Sequence, residues 1–305
     1  MKKQQNLHGT VVTAQATFAS YGGEKECSRS TIQTLEINDS LHSVISGVSI
    51  RNAMREKLEG EKNRERINDG EKGPEVLYKS IPNPNKFPDD DLCGWLLLCA
   101  SKEVKAEMEK ENISIKKLSP IRVNCGISHS RYNNEALLHQ SPHTIFVTKN
   151  GEKIENDKQA SVLHQEALVT VMEYIFSINI SDLNVHDNIY NLLRNGIINI
   201  GHVGGNSARY LYSFYPATIL LCLTELSTPN YTQYAFSQKE VGIDKIKYLI
   251  LNGDFDGKKF FIGGDYVYRM DEKERKSLAD KGVSLFNLSE QAVEEVCKRI
   301  KEQEG

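Results

Sequence analysis

The feature that most limits the fold is the order in which strand-like and helix-like segments follow one another through the first two thirds of the chain. Residues 7–19 alternate polar and apolar side chains and are rich in Val and Thr, the pattern of a strand. Ser49 then precedes Ile50, Ala53, Met54 and Leu58, an apolar stripe at helical spacing with an N-cap residue in front. The run LCGWLLLC at 92–99 is short and continuously apolar, and predicts a buried strand. Residues 166–180 (EALVTVMEYIFSINI) are long and β-branched and predict another. Residues 187–200 place Ile189, Leu192, Leu193, Ile197 and Ile200 on one helical face and stop at Gly201. Residues 209–223 predict a last strand, interrupted at Pro216. The order is β-α-β-β-α-β, an α+β class, ferredoxin-like core of the kind RNA-recognition (RRM-like) modules also use.

Two stretches exceed such a core. Residues 60–91 are highly charged and then Pro-rich (Ile81-Pro82-Asn83-Pro84), and predict an insertion. Residues 101–165 hold a solvated helix at 102–111, a strand-like segment at 121–127 and a polar excursion at 128–165. Lys149-Asn150-Gly151 within it is a hairpin-turn signal, so a projecting β-hairpin is expected. The C-terminal third predicts a helix near 244–251, a hairpin at Gly263-Gly264 and a terminal helix with Val293, Val296 and Ile300 inward. One domain over 1–305 with these insertions accounts for the whole chain.

With 39% hydrophobic and 26% charged residues, wholesale disorder is excluded. No run has the length and apolarity of a membrane span, and Met1-Lys2-Lys3 continues into Gln4-Gln5-Asn6 without a signal-peptide apolar region, so cytoplasm is expected. The six cysteines form no CxxC pair and sit mostly in apolar runs, which predicts reduced thiols rather than a disulfide frame or a zinc site. A net charge of -3 does not announce a nucleic acid, so any such case rests on where the basic residues sit.

Three places concentrate suitable groups. Residues 46–52, SGVSIRN, open the first helix, and a helix start offers free N–H groups and positive potential to an anion. Ser46 and Ser49 can donate, and Arg51 and Arg55, four apart, share a face. The same residues also describe a capped helix with solvated arginines. The second place is residues 201–209, GHVGGNSAR, with His202, Gly204, Gly205, Asn206 and Arg209. It is neither a P-loop nor a dinucleotide fingerprint, because a strand rather than a helix follows, yet its glycines permit close backbone approach. The third is the excursion, with His129, Arg131, Tyr132, His143 and Lys149, which would suit single-stranded RNA or be an ordinary polar loop. Catalytic patterns are poor. Pro142 argues against a helix aligning His139 with His143, and His164 and Glu166 have no partner cluster. No cofactor or metal is expected, and Asp39 is the one acid kept in view.

Four segments together resemble the DevR-type backbone subunit of type I-B CRISPR Cascade, within the seventh family of CRISPR-associated proteins. They are LHGTVVTAQATF, SVISGVSIRNAMRE, DDLCGWLL and VGGNSARYLYSFYP, spanning roughly residues 7–224 in the family's order. Cys93 and Trp95 depart from the aromatic-Gly-Tyr pattern expected there, and the chain after Thr228 carries little family signal. The resemblance implies an RRM-like palm, a finger insertion at 60–91, a second insertion at 101–165 whose part from about 128 to 165 is the thumb, and a non-catalytic role. Copies of the chain would stack along guide RNA, beside other Cascade subunits, with target DNA read through the guide and no membrane partner. Ser46, Ser49, Arg51 and Arg55 become palm contacts to phosphate, and the glycine segment lies along the RNA. Two alternatives remain: a metal-dependent RNA endonuclease subunit using Asp39, as in related type III subunits, and a transcriptional autoregulator, for which no DNA-reading element is seen.

Overall fold

A computed structural model gives the fold and describes residues 5–19, 25–26, 29–69, 73–98, 101–133, 136–141, 145–155, 161–201, 203, 214–228, 234–237 and 242–304. The β-branched segments build a nine-stranded sheet. Its strands are β1 (Asn6–Thr13), β2 (Thr34–Ile37), β3 (Ser40–Ile45), β4 (Ile121–Val123), β5 (Gly126–Arg131), β6 (Met172–Asn179), β7 (Pro216–Thr224), β8 (Phe260–Gly264) and β9 (Ser284–Phe286). In space they run β9-β8-β7-β1-β6-β5-β3-β2, with β4 also laid against β6. All pairings are antiparallel except β8 with β9.

The helices are α1 (Gly47–Lys57), α2 (Pro88–Cys93), α3 (Lys102–Lys110), α4 (Asp187–Asn191), α5 (Ile243–Asn252), α6 (Asp265–Tyr268), α7 (Glu272–Asp280) and α8 (Ser289–Glu304). α4 runs directly into a π-helix at Leu192–Ile198. Strand alternation sorts the core into two layers. Ile219, Leu221 and Leu223 of β7, with Phe261 of β8, join α1, the π-helix and α8. Leu220, Cys222, Phe260 and Ile262 join α5, α6 and α7. As the periodicity predicts, Val293, Val296 and Ile300 of α8 are buried. The chain after Thr228, mute in family terms, thus widens the sheet by two strands and covers its second face.

Several expectations need correcting. Residues 92–99 are not a strand: α2 occupies Pro88–Cys93, and only Trp95–Leu96 pair, with Lys116–Lys117. Proline at the first helical turn and three aspartates against the dipole favour a helix start there. Residues 7–19 divide into β1 and a second strand, Ala16–Ala19, which leaves the sheet to pair with residues 167–170. Residues 166–180 divide likewise, into Ser161–Thr170 and β6. The cap of α1 is Ser46, not Ser49, which lies inside the first turn. Gly263-Gly264 ends β8 and leads into α6 rather than a hairpin, with Gly264 at φ 96°. β4 and β5 belong to the main sheet, so the excursion leaves it only after Arg131. Beyond it, the Lys149-Asn150-Gly151 turn is present, joining strands Ile145–Val147 and Lys153–Glu155. Of the cysteines described, Cys222 and Cys297 are buried, Cys93 is half-buried and Cys125 is exposed, all free thiols.

Candidate nucleic-acid interface

The start of α1 is capped by a serine. Ser46 has extended backbone, its Oγ accepts from the Ser49 N–H at 3.1 Å, and it lies 2.9 Å from the Ser49 hydroxyl. No acidic residue occupies the first turn, so the helix itself supplies no carboxylate against its positive end. Gly47 makes the placement possible, because a Cβ there would collide with the Val123 carbonyl oxygen of β4.

The two arginines of this helix differ in state. Arg51 is half-exposed and has no ion-pair partner among the described residues. Arg55 is buried, its Nη2 donating to Asn52 Oδ1 at 2.7 Å and Glu56 Oε1 at 3.0 Å. A third guanidinium, Arg64, acts with them on the Cys93 thiol electrostatically. Burial pushes that thiol's pKa up, against the pull of Arg64, Arg51 and Arg55. Arg64 was missed at the sequence level because it lies in the inserted stretch, 13 positions past Arg51.

The residues His202, Gly204, Gly205, Asn206 and Arg209 lie outside the described residues. The base of their segment is defined: the Phe214 N–H donates to the Gly201 carbonyl at 3.3 Å, and Phe214 stacks on Tyr174 with ring centroids 6.0 Å apart. Gly201 sits beside the Lys57 side chain, close enough that a Cβ would touch Lys57 Cε at 3.1 Å. Lys57 ends α1, so Gly201 lies beside the end of a helix about 16 Å long that Ser46 caps at its start. Lys57 is a second basic group the reading did not select.

Of the five residues chosen in the excursion, the four that are described divide evenly. His129 Nε2 donates to Glu173 Oε2 at 3.0 Å, and Glu173, fully buried, also accepts the Phe236 N–H at 3.0 Å. Tyr132 Oη donates to Glu166 Oε2 at 2.6 Å, which also accepts the Ile32 N–H at 2.8 Å. Both side chains are thus engaged with buried carboxylates. Arg131 and Lys149 are exposed. His143 lies outside the described residues. Asp39 is exposed in the Asn38-Asp39 turn between β2 and β3, with φ of 48° and 59°, the type I′ geometry of a two-residue hairpin. Among the described residues no group of three or more His, Cys, Asp or Glu could hold a metal ion, and no helix is long and apolar enough to cross a membrane.

Below the arginines, α2 ties the surroundings together through three aspartates, all fully buried. Asp89 Oδ1 accepts the Asn63 N–H at 2.9 Å, and its Oδ2 accepts the Arg64 N–H at 3.1 Å and Nε at 3.3 Å. Asp90 Oδ2 accepts Asn63 Nδ2 at 2.8 Å and the Asn83 N–H at 2.9 Å. Asp91 accepts Lys117 Nζ at 2.5 Å, the Asn184 and Val185 N–H groups at 2.9 and 3.1 Å, and Asn188 Nδ2 at 2.9 Å. One helical turn therefore holds the base of the 64–78 insertion and the approach to α4.

No protein-family model matches the chain. The CRISPR-associated protein Cas7/Cst2/DevR of Myxococcus xanthus (strain DK1622) is 25% identical to it over 309 residues, covering 97% of both chains. The resemblance carried by the four segments therefore extends over nearly the full length. The fold is shared with a chain of a CRISPR RNA-guided surveillance complex at a TM-score of 0.50 and 10% identity, covering 97% of this chain and 99% of that one. A chain of a second such complex, described as pre-nicking, gives 0.51 at 8% identity, covering 95% and 98%.

Proposed function

We propose that this chain is a Cas7-type subunit of a CRISPR RNA-guided surveillance complex of the type I-B kind, holding guide RNA by its phosphates without cleaving it. The observation that carries the reading is the start of α1: a serine-capped, acid-free helix terminus beside Arg51, a guanidinium with no ion-pair partner among the described residues. Such a seat takes phosphate and ignores base identity. The full-length relative supports the assignment to a Cas7-type subunit.

The palm is the run β1, α1, β4–β5, β6, α4 with its π-helix, and β7. Its neighbours β7-β1-β6-β4 support the ferredoxin-like, RRM-like reading. The hairpin of Arg64–Asp69 and Gly73–Tyr78 serves as finger. The paired strands Ala136–Ser141 and Ser161–Thr170, with the hairpin at 145–155, serve as thumb. The glycine segment follows the RNA past Lys57. Copies of the chain line the guide, target DNA pairs with that guide, and other Cascade subunits complete a cytoplasmic assembly. Asp39 acts as a turn residue.

Protein purified without nuclease carries RNA of discrete length on this reading. Arg51→Ala weakens binding about equally for guides of different sequence and lowers the log–log salt slope by about 0.7, the loss of one single-strand phosphate contact. A guide-specific loss would show that Arg51 reads a base.

A further inference from the structure

Away from α1, four separate parts of the chain meet around a cleft of about 230 Å³. They are the residue before β1, the end of β7, the turn leading into β8 and the last two turns of α8. Leu223 and Phe261, both buried, form its apolar floor. Gln5 Nε2 donates to Gln303 Oε1 at 2.5 Å, so two amides from opposite ends of the chain join at its wall. In the order of the sheet, β7 lies four strands from β3, the strand that leads into α1, or about 19 Å at the usual strand spacing. The cleft is separate from the serine-capped helix start.

Three cations line this cleft. Lys258 and Lys259 are exposed, and neither ammonium has a hydrogen-bond or ion-pair partner among the described residues. Arg299 is held inward, its side chain 38% exposed and its guanidinium 5.9 Å from the Phe261 ring centroid. Glu295 and Glu302 each stand 3.8 Å from that guanidinium, beyond hydrogen-bond reach. Its N–H donors therefore make no hydrogen bond among the described residues. Two acids also line the cleft, Glu225 and Asp256. Asp256 Oδ1 accepts the Lys258 N–H at 3.1 Å, which fixes the turn that carries both lysines. Donors for an oxyanion and acceptors for hydroxyl groups thus face one apolar floor.

We propose that the cleft binds a sugar carrying a phosphate monoester, with the phosphate on Lys258, Lys259 and Arg299 and the hydroxyls on Asp256 and Glu225. Such a phosphate carries a charge of about −1.5 to −2 near neutral pH and three acceptor oxygens, which suits three cations. The ionised acids only accept, so they take hydroxyl protons and repel a bare anion, and this orients the ligand. Leu223 and Phe261 lie under the carbon face of the ring. The volume is below the roughly 300–1,000 Å³ of drug-sized sites, which fits one small sugar. The same group occurs free, as in ribose 5-phosphate, and at the 5′ end of a nucleic acid. The assignment does not depend on the RNA reading of α1.

The test is isothermal titration calorimetry of the full chain with ribose 5-phosphate, ribose and inorganic phosphate. Ribose 5-phosphate binds, ribose does not, and inorganic phosphate binds more weakly. Lys258→Ala combined with Lys259→Ala raises the Kd for ribose 5-phosphate about tenfold or more, the loss of at least one charge-assisted hydrogen bond. Both lysines are exposed, so the fold is kept, which an unchanged urea midpoint verifies. Arg51→Ala leaves this Kd unchanged. Asp256→Asn keeps an oxygen for the Lys258 N–H and narrows the preference for ribose 5-phosphate over inorganic phosphate. A second arm compares a 5′-phosphorylated oligoribonucleotide with its 5′-hydroxyl twin. A preference for the phosphorylated form that the double lysine variant loses, with no binding of ribose 5-phosphate, assigns the same site to a chain end. The proposal is overturned by phosphate-independent behaviour in both arms, by equal binding of ribose 5-phosphate and inorganic phosphate, or by a double lysine variant that matches the parent.

Discussion

Replacing Asp91 by alanine tests the view that α2 clasps two parts of the molecule. The substitution removes the acceptor for Lys117 Nζ, for the Asn184 and Val185 N–H groups and for Asn188 Nδ2. Asp91 is fully buried and Lys117 keeps 17% of its side-chain exposure. Breaking a buried ion pair costs about 3–5 kcal/mol. Lys117 can swing partly into water, which places this pair at the lower end, while each lost backbone hydrogen bond adds about 1 kcal/mol. Some of those donors are also half-exposed and recover water, so the expected loss is about 3–4 kcal/mol. A domain's whole stability is about 5–15 kcal/mol. With a urea m-value of about 3 kcal/mol/M, the midpoint falls by about 1 M.

Urea unfolding should be followed by circular dichroism and by tryptophan fluorescence. Trp95 is the only tryptophan, lies two residues past α2, and donates from Nε1 to the Ser114 carbonyl at 2.9 Å. It reports on the clasp directly. Asp90→Asn is the internal control: among the described residues Asp90 Oδ1 has no hydrogen-bond partner, only Arg64 Nε at 3.8 Å, and burial has already raised its carboxyl pKa. An asparagine oxygen still accepts from Asn63 and Asn83, so that change costs about 1 kcal/mol or less. A midpoint for Asp91→Ala within about 0.2 M of the parent, well inside ordinary surface-substitution scatter, would refute the reasoning.

Two further outcomes follow from buried groups elsewhere. His8 is buried, donates from Nε2 to the Leu226 carbonyl at 2.8 Å and has no partner for Nδ1 among the described residues, and burial lowers its pKa below 6.5. The unfolded chain therefore takes up a proton that the folded chain refuses, so stability falls as pH drops below about 6.5, by at most about 1.4 kcal/mol per unit. His8→Gln should flatten that stretch of the stability–pH curve, and an unchanged slope would exclude His8 as its source. Gly47→Ala drives a methyl group into the Val123 carbonyl and should cost about 1–3 kcal/mol in urea unfolding. A neutral result would mean that the start of α1 has room against β4.

Where the chain's pattern was local, reading it worked. The stripe Ile50, Ala53, Met54 and Leu58 needed no partner to announce a helix, and all four are buried. The Lys149-Asn150-Gly151 turn was likewise set by its own residues, with Gly151 at φ 81°. The 92–99 run failed because a short apolar stretch has no length to separate strand from buried helix. The deciding signals, Pro88 and the three aspartates, lay just before it. Gly94, at φ 59° and tight against the Lys117 carbonyl, then turns the chain out of the helix.

The candidate site was legible in residue type and much less in state. Ser46, Ser49 and Arg51 stand together at the start of α1, as their proximity along one helix required. The sequence could not say that Arg55 turns inward to Asn52 and Glu56, or that His129 and Tyr132 bond the buried Glu173 and Glu166. Glu173 and Glu166 lie 44 and 34 residues from His129 and Tyr132, whereas Asn52 and Glu56 are near neighbours of Arg55 whose engagement was decided by packing. Nor could it set Arg64 of the insertion to act on Cys93. By itself the amino-acid order determined where strands and helices form and in what succession, because periodicity and capping act within one turn or one strand. Tertiary structure alone decided which cations remain free for a ligand, because that depends on which distant carboxylate each one meets.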